Sequence, residues 1–89
     1  MKRKEIKILD SEGIPARSAA MLVQEASKYK ARVLIEQGSK VINAKSLMGV
    51  LSLNARGEEP LFLVLSGDDE EQALEGMLRL MRVHFSVPA

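Results

Sequence analysis

The chain has no cysteine, no tryptophan and few aromatic residues, which make up 3% of its 89 positions. Without cysteine there is no disulfide, thiolate nucleophile or cysteine-ligated zinc site. So few rings provide no stacking platform for single-stranded nucleic acid. No apolar run is long enough to span a membrane, and the net charge of +1 creates no strong field. We therefore expect no metal, no direct contact with nucleic acid and no membrane association.

The remaining composition is that of one small globular domain over residues 1–89. Hydrophobic residues make up 46% of the chain and charged residues 28%, which is typical of a soluble fold with one core. The basic start Met1-Lys2-Arg3-Lys4 is followed by short strand-like runs, without the apolar segment of a signal peptide. We expect a cytoplasmic protein.

Hydrophobic periodicity predicts alternating strands and helices. Strands are predicted at 5–9, 32–36, 41–43 and 61–65, with a hairpin turn at 37–40. Helices are predicted at 16–28, at 46–53 and at about 69–82, the last with acidic residues in its first turn. The resulting order, βαββαβα, indicates an α+β fold with helices on one face of an antiparallel sheet.

Alternation along the strands assigns side chains to the two faces of that sheet. The predicted inward set is Ile6, Ile8, Val33, Ile35, Val41, Leu61, Leu63 and Leu65. The predicted outward set is Leu9, Leu34, Ile42, Phe62 and Val64. An outer face with Leu34, Ile42, Phe62 and Val64 predicts a homodimer through the sheet. The alternatives are covering by the tail at 83–87 and scattered surface residues that need no explanation.

Two short segments carry a resemblance to a known family. Residues 13–18 read Gly13-Ile14-Pro15-Ala16-Arg17-Ser18, and residues 45–53 read Lys45-Ser46-Leu47-Met48-Gly49-Val50-Leu51-Ser52-Leu53. Together they resemble the two signature segments of the HPr family, the phosphocarriers of the bacterial phosphotransferase system. The resemblance covers essentially the whole chain. It implies an open-faced β-sandwich with a four-stranded antiparallel sheet and three helices on one face.

The first segment departs from the family at its reactive residue. Family members have a phosphate-accepting histidine where this chain has Pro15, and usually proline where it has Ser18. Because proline has no nucleophilic atom, the resemblance implies no histidine phosphotransfer, no catalytic residue and no enzymatic activity. The chain's one histidine, His84, lies near the C-terminus, beyond the predicted last helix, and is interpreted as a surface or packing residue.

The start of the first helix keeps other features of an anion site. Ala16, Arg17 and Ser18 supply backbone N–H groups at the positive end of the helix dipole, and Arg17 adds a cationic side chain. These residues predict a residual anion-binding site. The alternative is that Arg17 and Ser18 are ordinary first-turn residues facing water.

The second segment keeps the regulatory residue of the family. On position alone, Ser46 is a plain N-cap of a short helix. The resemblance implies phosphorylation of Ser46 by the ATP-dependent HPr kinase/phosphorylase. It also implies a docking face for partner proteins, made of Arg17, Ala20, Gln24, Leu47, Met48 and Leu51, whereas Val50 and Leu53 are core candidates.

Within the family the chain resembles the catabolite-repression HPr-like proteins, which lack the histidine and keep the serine. The resemblance implies that the Ser46-phosphorylated form is a corepressor partner of a catabolite-control repressor, with no cofactor. One alternative is a phosphocarrier that works with other phosphotransferase-system proteins through a different residue. Another is a retired carrier domain that serves as an oligomerisation module.

Overall fold

The fold is given by a computed structural model that describes residues 1–6, 16–53 and 60–84. Over these residues the elements are β1 (Lys2–Ile6), α1 (Ala16–Ser27), β2 (Arg32–Gln37), β3 (Lys40–Asn43), α2 (Leu47–Leu51), β4 (Leu61–Ser66) and α3 (Glu70–His84). The four described strands form one antiparallel sheet in the order β1-β4-β2-β3. The predicted α+β class and the βαββαβα order are confirmed. The histidine prediction is corrected in one respect, since His84 is the last residue of α3.

The core lies between one face of the sheet and the helices. From the strands it receives Ile6, Val33, Ile35, Ile42, Leu61, Leu63 and Leu65. From α1 and α3 it receives Ala19, Leu22, Ala26, Ala73, Met77 and Met81. These helical positions recur at spacings of three and four residues, so each helix turns one apolar stripe to the sheet. The sheet alternation predicted for β2 and β4 is therefore confirmed on its inner face.

The β2–β3 hairpin corrects the prediction for β3. Its turn is Gly38-Ser39, and Gly38 has a φ of 59°, in the left-handed region that glycine adopts without strain. This turn pairs Gln37 with Lys40 and hence Ile35 with Ile42. Directly paired residues share a face, so Ile42 is buried at 8% exposure while Val41 is 54% exposed. The prediction of an outward Ile42 and an inward Val41 was wrong by one residue of register.

The outer face of the sheet is less open than predicted. Val64 pairs with Leu34 and so lies on this face, yet it is only 7% exposed. Leu34 and Phe62 are half-buried. The Arg3 guanidinium lies 3.9 Å from the centre of the Phe62 ring. Its Nη2 also donates to Glu36 Oε1 at 3.3 Å. The apolar outer face thus has Leu34, Phe62 and Val64, with Val41 in place of Ile42, and Arg3 partly covers it.

The first strand begins three residues before its predicted start at Glu5. Lys2 is the first residue of β1 and pairs with Leu65 of β4. Such a basic segment lacks the alternation of a half-buried strand, but charged residues are common on the exposed edge of a sheet. The predicted continuation through Ile8 and Leu9 lies outside the described residues.

Candidate functional site

Ser46 occupies the N-cap of α2. Its backbone is extended, with φ −110° and ψ 119°, and its Oγ accepts a hydrogen bond from the Gly49 N–H at 3.3 Å. Its carbonyl accepts from the Val50 N–H at 3.0 Å, which begins the helix. The side chain is half-buried. The predicted capping role is confirmed, and the hydroxyl lies at the helix end where a phosphate is electrostatically favourable.

The turn before Ser46 is held by Asn43. The Oδ1 atom of Asn43 accepts from the Lys45 N–H at 2.9 Å, and its carbonyl accepts from the Ser46 N–H at 2.9 Å. Gly49 lets the helix approach β3 closely, since a Cβ there would lie 3.3 Å from the Asn43 carbonyl oxygen and 3.4 Å from Ile42 Cβ. The start of α2 therefore rests directly on the end of β3.

The short helix α2 has a buried face and an exposed apolar face. Val50 is fully buried and Leu53, just after the helix, is 5% exposed, as predicted for core residues. On the other face Met48 is 78% exposed, and Leu47 and Leu51 are each 41% exposed. A surface helix normally presents polar residues to water. This apolar face of α2 is thus accessible to a partner, while its role in docking stays a prediction.

The first helix supplies a second face next to α2. Ala16, Arg17 and Gln24 are exposed, while Ser18 and Ala20 are half-buried. Arg17, Ala20 and Gln24 recur at i, i+3 and i+7 and so share one side of α1, and α1 packs against α2. The structure brings the two helices of the predicted docking face together. Pro15 lies outside the described residues.

A junction that the sequence did not reveal lies beside this site. The carboxylate of Asp69 accepts hydrogen bonds from the Lys30 N–H at 2.9 Å and the Ala31 N–H at 2.8 Å. The Lys45 Nζ donates to the Tyr29 carbonyl at 2.6 Å. Residues 29–31, here named the junction turn, are thus bound by side chains from two other turns. The acidic start of α3 was a signal for a helix cap, but its partners are remote in sequence.

The pKa of Asp69 lies below its ordinary value. The largest cause is the hydrogen bond from the Lys30 N–H, and the Ala31 N–H and the Lys45 ammonium act in the same direction, against partial desolvation. A carboxyl group whose pKa falls on folding stabilises the fold when ionised. That contribution is present above the ordinary pKa and is lost as the pH falls through the lower folded value.

We expect Asp69→Asn to lower the Tm at neutral pH and to flatten the dependence of Tm on pH below about 4. The neutral side chain of asparagine has one carbonyl oxygen, so it cannot offer a charged oxygen to each of the two backbone N–H groups. Thermal unfolding followed by circular dichroism between pH 2 and 7 measures both effects. The control is Asp68→Asn, because Asp68 is adjacent and exposed. Equal Tm profiles for the two variants would contradict this account of the junction.

Metal sites and membrane-spanning helices are both absent from the described residues. Within residues 1–6, 16–53 and 60–84, no group of histidine or acidic side chains is arranged to hold a metal ion. None of the helices described is long and apolar enough to cross a membrane.

Comparison with known proteins decides the family. The model of the PTS HPr component phosphorylation site matches residues 2–82. The chain belongs to the HPr family. It is 36% identical over 78 residues to the HPr-like protein Crh of Halalkalibacterium halodurans, an alignment that covers 88% of this chain and 93% of that protein.

Solved structures of the HPr family share the fold. HPr from Thermoanaerobacter tengcongensis superposes with a TM-score of 0.84 at 37% identity, and each chain is covered completely. Crh from Bacillus subtilis, a catabolite repression protein described as a dimer with a swapped domain, superposes with a TM-score of 0.73 at 33% identity. That superposition covers 96% of this chain and 98% of Crh. Sequence identity alone does not tell whether the chain is more similar to the HPr phosphocarriers or to the Crh proteins. The residues of the candidate site must decide between them.

Proposed function

We propose that this HPr-family chain is a regulatory binding protein without histidine phosphotransfer. An HPr kinase phosphorylates Ser46, and the modified protein acts as a corepressor partner of a catabolite-control repressor in carbon catabolite repression. The main support for this proposal is the position of the Ser46 hydroxyl at the start of α2, beside exposed Leu47, Met48 and Leu51. Pro15 at the family's histidine position supports the loss of carrier chemistry.

The position of Ser46 suits a phosphate-dependent switch. A phosphoserine carries a charge of about −2, which is stabilised near a helix N-terminus. The added charge would adjoin the apolar face of α2 without unfolding the helix. A partner could then read a phosphate and an apolar surface together. The proposal needs no cofactor and assigns no catalysis to the chain, which acts in the cytoplasm with its kinase and repressor.

The proposed docking face is made of Arg17, Ala20, Gln24, Leu47, Met48 and Leu51. Methionine adapts its shape to different surfaces, and Met48 is the most exposed of the three apolar residues on α2. Arg17 adds a cationic side chain that can bind carboxylates of a partner. Apolar contact therefore supplies affinity at the centre, and charge orients the complex.

We expect Met48→Glu to weaken binding of the Ser46-phosphorylated chain to a purified catabolite-control repressor by at least about tenfold. The substitution places a carboxylate in the apolar contact and close to the phosphate. Isothermal titration calorimetry measures the affinities. The matched control is Val41→Glu. Val41 is 54% exposed but lies on the outer face of the sheet, on the side away from α2. Phosphorylated wild-type protein that binds no more tightly than unmodified protein would reject the corepressor role.

The start of α1 is proposed as a residual anion site. Its support is that Ala16 and Arg17 are exposed and that α1 begins at Ala16. The first N–H groups of a helix have no intrahelical acceptors, and Ser18 provides an N–H where proline would provide none. An acidic group of a partner would fit there as well as a free phosphate.

A homodimer through the outer face of the sheet is a second proposal, with Leu34, Phe62 and Val64. It draws on the dimeric state of Bacillus subtilis Crh and on the half-buried Leu34 and Phe62. Ile42 has no part in it, because that side chain is in the core. A dimer would also fit the alternative in which the domain serves as an oligomerisation module.

We expect Leu34→Lys combined with Phe62→Lys to give a smaller species than wild type in sedimentation velocity. Two lysines would add like charge to an apolar contact that is related by symmetry. Met48→Lys is the control, because it changes an exposed apolar residue away from the sheet. A wild-type protein that stays monomeric at millimolar concentration would reject association through this face.

A second function, a phosphocarrier that uses another residue, is favoured only by the HPr comparison. The 37% identity to the Thermoanaerobacter tengcongensis protein is close to the 36% identity to Crh of Halalkalibacterium halodurans. Such a carrier would work with phosphotransferase-system proteins and would need a nucleophile other than the residue at position 15. His84 is the chain's one histidine, so a phosphorylated His84 is the specific sign of this function.

A further inference from the structure

The junction turn receives opposite charges on its two sides. The Asp69 carboxylate, just before α3, accepts from the N–H groups of Lys30 and Ala31. The Lys45 ammonium, just before α2, donates to the Tyr29 carbonyl at 2.6 Å. Charge-assisted hydrogen bonds are shorter and stronger than neutral ones. The end of α1, the start of α2 and the start of α3 therefore meet at one short stretch of backbone.

Lys45 is well placed to control the start of α2. Its own N–H donates to Asn43 Oδ1, and the next residue is Ser46. The α2 helix has only five residues, and a helix this short is not stable by itself. Its position therefore depends on the burial of Val50 and on contacts at its ends. The Lys45–Tyr29 hydrogen bond is the described contact that ties this end to the segment after α1.

We infer that Lys45 is a positioning residue, whose ammonium fixes the start of α2 against the end of α1. It thereby keeps Ser46 and the apolar face of α2 in one arrangement with Arg17, Ala20 and Gln24. The consequence for phosphorylation rests on the proposed function, whereas the effect on α2 does not. Loss of the ammonium leaves Ser46 and Gly49, the two partners of the cap, unchanged, but lets the first turn of α2 open more often.

The chain offers a matched control at the other end of the same helix. The Lys40 Nζ donates to the Ser52 carbonyl, also at 2.6 Å. Lys40→Met and Lys45→Met remove the same charge and the same type of hydrogen bond. The Lys40 contact, however, joins α2 only to the neighbouring strand β3. Any effect specific to Lys45→Met must come from its contact with the junction turn or from its place next to Ser46.

The first experiment measures amide hydrogen exchange by NMR in the unmodified protein. We expect Lys45→Met to speed exchange of the Gly49 and Val50 amides by about tenfold, because α2 opens more often. Lys40→Met should leave these two amides within about twofold of wild type. Lys45→Arg should restore protection, because its guanidinium can also donate to the Tyr29 carbonyl. Unchanged β4 amides would show that the fold is intact.

The second experiment measures phosphorylation of the same variants by an HPr kinase with ATP. A positioning role predicts a KM for Lys45→Met about tenfold above wild type with kcat unchanged, and recovery in Lys45→Arg. Gly49 and Val50 amides that exchange as in wild type would overturn the inference, whatever the kinase does. Faster exchange with an unchanged KM would reject the consequence for phosphorylation, namely that the position of α2 governs recognition of Ser46 by the kinase. If wild type is not phosphorylated at all, the proposed function fails, while the exchange data still decide whether Lys45 fixes α2.

Discussion

Ser46→Ala is expected to abolish ATP-dependent phosphorylation of the chain by an HPr kinase. The hydroxyl at the start of α2 is the proposed acceptor, and alanine has none. Intact-mass spectrometry after incubation with kinase and ATP measures the result. The matched control is Ser52→Ala at the other end of α2, where the hydroxyl donates to the Gly49 carbonyl at 2.6 Å. Ser52→Ala should be phosphorylated like wild type, and a phosphorylated Ser46→Ala protein would show that another residue is modified.

The same substitution has a measurable effect on stability. Loss of the N-cap that accepts from the Gly49 N–H should lower the free energy of unfolding by about 1 kcal/mol. Ser52→Ala should cost less, since its hydroxyl is exposed and adds one hydrogen bond to a carbonyl. Urea unfolding separates the two variants. A Ser46→Ala protein as stable as wild type would mean that the cap contributes nothing in solution.

Pro15→His combined with Ser18→Pro is expected to create phosphorylation by phosphoenolpyruvate and the first phosphotransferase enzyme. An imidazole supplies the nucleophile that Pro15 lacks, and Arg17 and the start of α1 can bind the transferred phosphate. Wild type and Ser18→Pro alone should show no acid-labile phosphate, and Pro15→His alone should show some transfer. The test is the rate of acid-labile phosphate formation. A double variant as inert as wild type would mean that more than the histidine has been lost.

The anion site proposed at residues 16–18 provides a control for this gain of phosphotransfer. Titration of wild type with inorganic phosphate should move the amide resonances of Ala16, Arg17 and Ser18 before others. If they move and the double variant still fails, the missing feature is the contact with the donor enzyme. If shifts appear only elsewhere, the residual anion site is rejected.

Local patterns were sufficient for the element order, and the errors arose where pairing between strands decides the outcome. The strand at β3 was recognised, but its faces were assigned from its own short apolar run. The turn at Gly38-Ser39 holds the needed information, because a two-residue hairpin places Ile42 opposite Ile35. The β1 strand extends to Lys2 because β4 provides a pairing partner. The basic segment has no hydrophobic periodicity that would predict this extension.

The candidate site also has features that the sequence predicted and features that it did not. The exposure of Leu47, Met48 and Leu51 came from resemblance to the HPr family, since their apolar character alone favours burial. The capping role of Ser46 followed from its residue type and position. The junction of Lys45 and Asp69 with the turn at 29–31 could not be predicted. Its hydrogen bonds join residues 16 and 38–39 positions apart, and no sequence pattern relates them.

The most direct test of the central claim is the intact mass of the wild-type chain after exposure to each phosphate donor. One sample receives ATP and an HPr kinase, and the other receives phosphoenolpyruvate and the first phosphotransferase enzyme. The account predicts one added phosphoryl group, stable to acid and located on Ser46, in the first sample and no change in the second. An unchanged mass with ATP, together with an acid-labile phosphate on His84 in the second sample, would contradict it.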